Sequence, residues 1–558
     1  MVKKFIGFLY QETSSLNQAA LLLGLLSLLS QFVGFLRDRL LAHIFGASTE
    51  LDIYYAAFRI PDFLFVTVAS IVSLSVLVPF IIEKDSQGRE SLRRFIDNIF
   101  SFFSILIFFV AVATYVFMPE ISSFLFKGFS AENLLRVVFI SRLLLLSPIL
   151  LGLSNLFGSL TQAYNRFMLY AFAPVLYNAG IVIGVVGFSS RWGIEGVAFG
   201  VILGAVMHLV IQIPFIFSSG LIPRPIVGFD WKVIEQVVKI SLPRTLTLSM
   251  SAITLLFLTA MASRMSDGSV SILNFGNNIQ TISLSMIGVS YSLAAFPTLT
   301  RKFQEKDMKA FLEQMQVTAR FIIFWSLPFT ALIFVLRAQI VRVLLGSGLF
   351  DWTATRLTAA VVALFVLSTV FQSLILLLMR GFYSAGHTRR PFYINLVSTI
   401  FLVVITHGLI KLFYFSSTFH YFITSLLKVE DLSGSAILML PLGFTLGTLL
   451  NGILLWASFE REFRGFSRGV WRTCFEGLGA GFIMAGVTYV ALNFFAQIID
   501  GSTLPGIFFQ GLFSGVLGIF SGVLVLKALK SVELREVGES LHTKFWKSKV
   551  IATDPEIV

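Results

Sequence analysis

Charge and cysteine are scarce in this 558-residue chain. Charged residues make up 13% of the sequence, against about 25% in soluble proteins, and apolar residues make up 56%. A chain with so few charged residues cannot form the polar surface of a water-soluble protein. The composition therefore predicts an integral membrane protein rather than a soluble enzyme or binding protein. The single cysteine, Cys474, excludes an intramolecular disulfide and a cysteine metal cluster.

Catalytic motifs are missing as well. The chain has no HExxH, Walker loop, nucleophile elbow or carboxylate pair in a convincing context. An ATPase is therefore not expected, an enzyme of another kind is disfavoured, and neither a cofactor nor a metal is predicted. The net charge of +12 is better explained by basic residues on the cytoplasmic side of a membrane than by a nucleic-acid partner.

Long apolar runs are what the chain has in abundance. Runs of roughly 20 mostly apolar residues can cross a bilayer as helices. They predict an all-α polytopic membrane protein with about fourteen transmembrane helices and both termini on one side. The predicted spans are 18–45, 51–83, 95–118, 134–162, 167–188, 194–217, 235–264, 270–299, 315–337, 355–383, 391–414, 436–459, 472–498 and 507–529.

The two ends of the chain lie outside these spans. Residues 1–17 have basic residues and a short apolar stretch but no small-residue cleavage site. They are therefore predicted to form an interfacial segment rather than a removable signal peptide. Residues 531–558 carry mixed charge and are predicted to form a cytoplasmic tail.

Basic residues in the loops predict the orientation. Loops 47–50 and 501–506, which follow odd-numbered spans, contain none. Because cytoplasmic loops retain Lys and Arg, both termini are predicted to be cytoplasmic. The basic residues that follow even-numbered spans are Lys84, Arg89, Arg93, Arg94, Arg166, Arg224, Lys232, Arg301, Lys302, Lys306, Lys309, Arg389, Arg390, Arg461, Arg464 and Arg468.

Prolines recur at a nearly constant spacing. Pro79 and Pro297 are 218 positions apart, and Pro174 and Pro391 are 217 apart, each of the second pair preceding an asparagine by four residues. This offset predicts two parallel six-helix lobes and two extra helices, unless the prolines coincide by chance. The predicted division is an N-lobe over 18–217, a C-lobe over 218–460, and helices thirteen and fourteen within 461–530.

Three consecutive charged residues, Arg37, Asp38 and Arg39, lie well inside the first predicted span. A charged side chain at the bilayer centre costs at least ~2.5–3.5 kcal/mol. Arg37 and Asp38 are therefore predicted to face a bundle interior or a watery cavity. Charges nearer the predicted helix ends, such as Arg136 and Arg320, are more simply explained by salt bridges between helices or by contact with lipid headgroups.

Four stretches of the chain resemble one family. They are GFLRDRLLAHIFGASTELDIYYAAFRIPDFL (34–64), NRFMLYAFAPVLYN (165–178), AAFPTLTRKF (294–303) and GFYSAGHTRRPFYI (381–394). In this order they resemble the MurJ (MviN) lipid II flippases of the MOP exporter superfamily. The resemblance implies that undecaprenyl-diphosphate-linked lipid II moves from the inner to the outer leaflet of the bacterial cytoplasmic membrane. The two lobes would alternate around a central cationic cavity, and helices thirteen and fourteen would form a groove for the lipid tail.

The resemblance also implies substrate-binding residues. The family's first-helix Arg-Asp pair corresponds to Arg37 and Asp38, its acidic residue at the second-helix entrance to Asp52, and its basic residue before the proline to Arg59. Guanidinium groups suit this role because they bind diphosphate oxygens in a bidentate manner.

The chain departs from the family pattern at three positions where members often have arginine. These positions hold Gln31, Phe65 and Asn278, so the predicted cavity is less cationic, with Gln31 and Asn278 as its polar members. Arg244, at the start of the seventh predicted span, is expected to replace part of the lost charge.

The implied partners are an undecaprenyl-diphosphate-linked lipid and membrane lipids, with cell-wall synthesis proteins as further candidates. Three alternatives remain open: a flippase for another polyprenyl-diphosphate-linked oligosaccharide, an antiporter of the same superfamily, and a membrane scaffold of the same fold. An antiporter for cations would favour carboxylates, whereas the motif charges lean basic. A scaffold seldom needs charges as costly as Arg37 and Asp38.

Overall fold

The computed structural model describes residues 16–69, 74–387 and 389–546, and these residues contain helices and no strand. The prediction of an all-helical protein is therefore confirmed for this part of the chain. The α-helices are α1 (Leu16–Phe45), α2 (Thr49–Val68), α3 (Leu74–Ser86), α4 (Arg89–Val116), α5 (Met118–Leu125), α6 (Ala131–Leu144), α7 (Leu146–Ala163), α8 (Phe167–Ile183), α9 (Ser189–Val210), α10 (Ile213–Ser218), α11 (Trp231–Ala262), α12 (Ser269–Ser283), α13 (Ser290–Gln304), α14 (Met308–Leu345), α15 (Trp352–Val366), α16 (Thr369–Ser384), α17 (Arg389–Phe415), α18 (Ser417–Leu427), α19 (Met439–Glu462), α20 (Trp471–Ile498), α21 (Leu504–Ala528) and α22 (Val532–Trp546).

Short segments of other helix types join some of these helices. The π-helical segments Gly184–Phe188 and Leu284–Val289 continue α8 into α9 and α12 into α13. The 3₁₀ turns Ser435–Leu438 and Ser467–Gly469 precede α19 and α20. The second π-helical segment lies within the single predicted span 270–299. The first lies at the end of the predicted span 167–188, and Gly193, with φ 55° and ψ −136°, interrupts the helical geometry just before the next predicted span, 194–217.

Each predicted span coincides with one of these helices or with consecutive helices. Within the described residues, ten helices are long and apolar enough to cross a membrane, judged by length and composition alone. The predicted span 51–83 covers α2 and α3, and residues 70–73 between them are outside the described ranges. The total of fourteen spans stays a prediction.

The turn between α1 and α2 shows how local sequence ends one helix and begins the next. Gly46 adopts φ 64°, the left-handed conformation that commonly follows a helix C-terminus. A Cβ at this position would lie 2.7 Å from the Leu349 carbonyl oxygen, so only glycine fits without a shift. Ser48 then caps α2, because its Oγ accepts a hydrogen bond from the Leu51 backbone N–H at 3.4 Å.

Glycines bring α8 and α9 into backbone contact. A Cβ built on Gly180 would lie 2.3 Å from Gly204 Cα, and one on Gly184 would lie 2.5 Å from Gly200 Cα. Small residues at matching positions let two membrane helices approach closely and pack without gaps. α8 is therefore held firmly, which matters because it carries a site residue described below.

The chain forms two compact units. Their boundaries fall inside helices, so the units are not the lobes that the proline spacing predicts, and the predicted lobe division stays a prediction. The first unit comprises residues 1–276, 344–361 and 392–443, and the second comprises 277–343, 362–391 and 444–558.

In the second unit, the last described helix, α22, is anchored through a buried carboxylate. Glu533 accepts hydrogen bonds from Thr473 Oγ1 at 2.9 Å and Ser531 Oγ at 3.0 Å. Arg320 Nε lies 3.6 Å from the same carboxylate. The salt bridge expected of Arg320 is therefore present, and it connects α14 with α22.

The ion pair expected of Arg136 is also present, in the first unit. Arg136 on α6 donates to Glu50 Oε2 at 2.8 Å and to Glu195 Oε1 at 3.0 Å. Glu50 belongs to α2 and Glu195 to α9, so one guanidinium joins three helices. This contact supports the prediction that Arg136 is a structural residue.

Candidate functional site

Arg37 is held by two partners on different helices. Its Nε and Nη2 lie 2.9 Å and 2.7 Å from Asp38 Oδ1, and its Nη1 donates to Asn178 Oδ1 on α8 at 2.9 Å. The Arg37 side chain is 24% exposed and the Asp38 side chain 7%. The guanidinium is thus charge-balanced and oriented, while part of the Arg37 side chain stays accessible.

Asn178 forms hydrogen bonds that connect the Arg37 side chain with both α1 and α8. Its Nδ2 donates to Ser30 Oγ on α1 at 3.3 Å and to the Pro174 carbonyl at 3.2 Å. Gly34 also lies beside this group, since a Cβ there would be in ordinary van der Waals contact with Asn178 Oδ1 at 3.8 Å. Sequence reasoning used Asn178 only as a marker of the repeat. Its position in an otherwise apolar helix was the signal that it bonds to a neighbouring helix.

Arg59 forms a second group of contacts in the same unit. Its Nε donates to Thr259 Oγ1 on α11 at 2.9 Å, and its Nη2 donates to Asn274 Oδ1 on α12. Asn274 is itself oriented, because its Nδ2 donates to the Val270 carbonyl at 2.7 Å. The other Nη of Arg59 has no hydrogen-bond partner among the described residues, and the Asp62 carboxylate, three residues further along α2, lies within electrostatic range of the guanidinium.

Asp52 contacts the start of α12. Its Oδ2 accepts from the Gly268 backbone N–H at 2.8 Å, and its Oδ1 accepts from Ser271 N–H at 2.7 Å and Ser271 Oγ at 2.6 Å. The first N–H groups of a helix lack partners within the helix, and a carboxylate there is also favoured by the helix dipole. Both oxygens of this buried carboxylate are therefore engaged by the protein itself.

Tyr55 connects the two arginine groups. Its side chain lies within electrostatic range of Arg37, Asp38 and Arg59. Its ring meets the Phe275 ring edge-on at 5.9 Å. The hydroxyl is buried and has no hydrogen-bond partner within the described part of the chain. A buried unsatisfied hydroxyl costs roughly 1–3 kcal/mol, so its presence calls for a functional explanation. Sequence reasoning did not identify Tyr55.

The other positions singled out in the sequence lie on four helices, α1, α2, α11 and α12. Gln31 is half-buried on α1, and Asn278 lies in the second unit, one turn after Asn274 along α12. Arg244 belongs to α11, but its side chain is outside the described residues. Phe65 is half-buried on α2. The roles of Gln31, Asn278 and Arg244 stay predictions.

Metal chemistry receives no support from the described residues. They contain no group of three or more His, Cys, Asp or Glu side chains that could hold an ion. The chemistry available at the two arginine groups is non-covalent: guanidinium and hydroxyl donors that can bind oxygen atoms of an anion.

The fold and these groups define a class of protein. Ten helices able to span a membrane within the described residues, together with ion-paired and hydrogen-bonded arginines on α1 and α2, are typical of a multi-pass transporter. Residues 41–509 match the family model described as "Lipid II flippase MurJ". The match covers most of the chain, and the protein belongs to this family.

Curated relatives agree with this assignment. The chain is 25% identical over 529 residues to "Lipid II flippase MurJ" of Burkholderia cenocepacia, which covers 90% of this chain and 97% of the relative. It is 26% identical over 383 residues to "Probable lipid II flippase MurJ" of Buchnera aphidicola from Acyrthosiphon pisum, covering 67% and 75% of the two chains.

Solved structures show the same fold. A structure described as "Lipid II flippase MurJ, inward closed conformation" matches with a TM-score of 0.71 and 19% identity, over 93% of this chain and 99% of that one. An inward-facing multidrug resistance MATE family transporter of the MOP superfamily matches with a TM-score of 0.62 and 15% identity, over 79% and 96%. At these identities the matches support the architecture alone.

Proposed function

We propose that the protein moves undecaprenyl-diphosphate-linked lipid II from the inner to the outer leaflet of the bacterial cytoplasmic membrane by alternating access, without enzymatic chemistry. The observation that carries the proposal is the Arg37 group. A guanidinium inside a spanning helix, oriented by Asp38 and Asn178 yet partly accessible, is suited to bind a diphosphate. Family membership supplies the identity of the lipid.

The electrostatics favour reversible binding. Asp38 balances Arg37 when no substrate is bound, so the free protein does not hold an unpaired charge in the membrane. A diphosphate that reaches the guanidinium gains charge-assisted hydrogen bonds, which are strong where water is scarce. Because Asp38 competes for the same guanidinium, the anion is released rather than trapped.

The basic-residue bias supports an orientation in which both termini are cytoplasmic. A cysteine introduced at Ser86, the last residue of α3, is then expected to react with a membrane-impermeant thiol reagent only after the membrane is opened. Labelling of intact cells at this position would contradict the orientation.

Transport is tested by flipping in proteoliposomes and by complementation of a strain depleted of its own lipid II flippase. We expect Arg37→Ala to lower the flipping rate roughly 100-fold, since two charge-assisted hydrogen bonds of about 1.5 kcal/mol each are lost. Arg37→Lys keeps the charge but loses the planar fork and should cost about tenfold. Arg94→Ala, which removes an exposed arginine paired only with Glu90 one turn away, is the matched control. Normal flipping by a well-folded Arg37→Ala protein would falsify the mechanism.

A flippase for another polyprenyl-diphosphate-linked oligosaccharide is the second candidate. It is favoured by one observation: Gln31, Phe65 and Asn278 replace arginines that family members often have. The two candidates are separated by measuring flipping of lipid II and of an O-antigen-type or capsule-type lipid in the same proteoliposomes. Faster flipping of the second lipid would favour this alternative.

A further inference from the structure

A large apolar cavity lies in the first unit, away from the Arg37 group. Its volume is about 700 Å³, which lies within the range of small-molecule sites. We refer to it as the α2–α11 cavity. Its walls include Ile60, Phe63 and Leu64 of α2, Val110 of α4, Phe124 of α5 and Leu256 of α11.

The walls are apolar apart from two threonines and Glu120 of α5, which is exposed. Two threonines contribute to the lining, but Thr67 Oγ1 donates to the Phe63 carbonyl and Thr114 Oγ1 donates to the Val110 carbonyl, both at 2.7 Å. Each threonine hydroxyl is therefore satisfied within its own helix. A water molecule needs two to four polar partners to occupy a cavity, so hydrocarbon is the favoured occupant.

The cavity opens toward the bilayer. Phe117 and Phe124 contribute to its lining and are 59% and 70% exposed. The apolar stretch of α4 is only 28% buried inside the protein, although the helix is long and apolar enough to span a membrane. Lipid chains therefore have access to the cavity from the side.

The cavity also begins one helical turn from Arg59, along two helices. Phe63 follows Arg59 by four residues on α2, which places it on the same face about 6 Å further along the axis. On α11, Leu256 precedes the Arg59 partner Thr259 by three residues and shares its face. An anion bound to the remaining Nη of Arg59 would thus lie at the end of the α2–α11 cavity.

We propose that the α2–α11 cavity binds the isoprenoid units nearest the diphosphate of the transported lipid, at the step of transport in which the diphosphate lies at Arg59 rather than at Arg37. This proposal rests on the proposed function and adds a binding site for the proximal part of the chain. A methyl-branched isoprenoid is wider than a straight acyl chain, and a cavity with three phenylalanine rings in its lining gives branched methyl groups a large contact area.

Photo-crosslinking in nanodiscs tests this site with two probes. One is a polyprenyl diphosphate with a diazirine on the isoprenoid units nearest the diphosphate, and the other is a phospholipid with a diazirine on its acyl chain. We expect the first probe to label peptides of α2, α4 and α11 in the wild-type protein. Competition by unlabelled polyprenyl diphosphate should reduce this labelling at least fivefold, and competition by the uncharged polyprenol should reduce it less.

A variant that fills the cavity provides the second measurement. Leu256→Trp should reduce labelling of these peptides by the polyprenyl probe at least fivefold, whereas Ile400→Trp on the exposed face of α17 should not. Labelling by the phospholipid probe alone, or polyprenyl labelling only elsewhere in the wild-type protein, would overturn the proposal. If either of these labelling results is found and the wild-type protein still flips lipid II, only the cavity proposal is wrong. If the wild-type protein neither binds the polyprenyl probe nor flips lipid II, the proposed function is wrong as well.

Discussion

Two aspartates in the first two helices illustrate how differently one kind of residue can be used. Asp38 pairs with Arg37, which is itself partly exposed and also held by Asn178. Asp52 is buried like Asp38, but its oxygens accept three hydrogen bonds from Gly268 and Ser271 at the start of α12. The first arrangement leaves a cation able to bind an anion, while the second completes a helix N-terminus. The role of a carboxylate inside a predicted membrane span is therefore inferred from the groups that it contacts.

The largest expected effect is on stability, at Asp52. Asp52→Ala leaves the buried donors of Gly268 and Ser271 unsatisfied, so we expect a loss of roughly 3 kcal/mol in the free energy of unfolding. The measurement is thermal unfolding in detergent, followed by fluorescence and size-exclusion profiles. Asp500→Ala is the control, because the exposed Asp500 accepts the same two kinds of hydrogen bond, from Ser502 N and Oγ, both at 2.8 Å. A stable Asp52→Ala protein that fails to flip lipid would instead make Asp52 a substrate residue.

The next effect is on transport, at Asn178. Asn178→Ala removes the hydrogen bond that orients Arg37, and we expect flipping to fall about tenfold, which corresponds to about 1.4 kcal/mol. Asn178→Asp keeps an acceptor toward Arg37 and should retain more activity than Asn178→Ala. Asn155→Ala on α7 is the control for loss of an amide in a neighbouring helix. Equal losses in Asn178→Ala and Asn178→Asp would show that the contact with Arg37 is not what matters.

Removal of the Tyr55 hydroxyl is expected to have a smaller effect on flipping, and it should not lower stability. Tyr55→Phe keeps the ring contact with Phe275 and removes a hydroxyl that has no partner among the described residues, so stability should be unchanged or slightly higher. If the hydroxyl binds substrate, flipping should fall about threefold to tenfold. Tyr170→Phe on α8 is the matched control. A stability loss without a transport loss would place Tyr55 with Asp52 as a structural residue.

The smallest effect is expected at Arg136. Its ion pairs with Glu50 and Glu195 are partly exposed, and such pairs contribute about 0–1 kcal/mol. Arg136→Gln should therefore lower the unfolding temperature only slightly, and the difference should shrink at high salt because screening weakens the wild-type pairs. A loss as large as that of Asp52→Ala would show that these ion pairs are shielded from solvent.

Much of the fold could be predicted because membrane insertion depends on local composition. Apolar runs of about twenty residues must become helices in a bilayer, since their backbone groups can find partners only within the segment. The predicted spans coincide with helices for this reason, although the segment from α8 into α9 passes through a π-helical stretch that apolar composition does not reveal. The family could be recognised from four short stretches because they combine charges and prolines that apolar helices otherwise lack.

The site was predictable only in part. The cost of a charge in a membrane identified Arg37 and Asp38 from the sequence alone, because that cost applies whatever the rest of the chain does. The partners of these residues are set by helix packing: Asn178 is 141 positions from Arg37, and Asn274 is 215 positions from Arg59. The sequence thus determined the helical fold, the family, and Arg37 and Arg59 as candidate site residues. The tertiary structure decided that Asp52 caps a helix and that Tyr55 lies near both arginines. It also decided that an apolar cavity begins one turn from Arg59. Hydrogen bonds and cavities depend on distances in space, and the distance along the chain does not encode them.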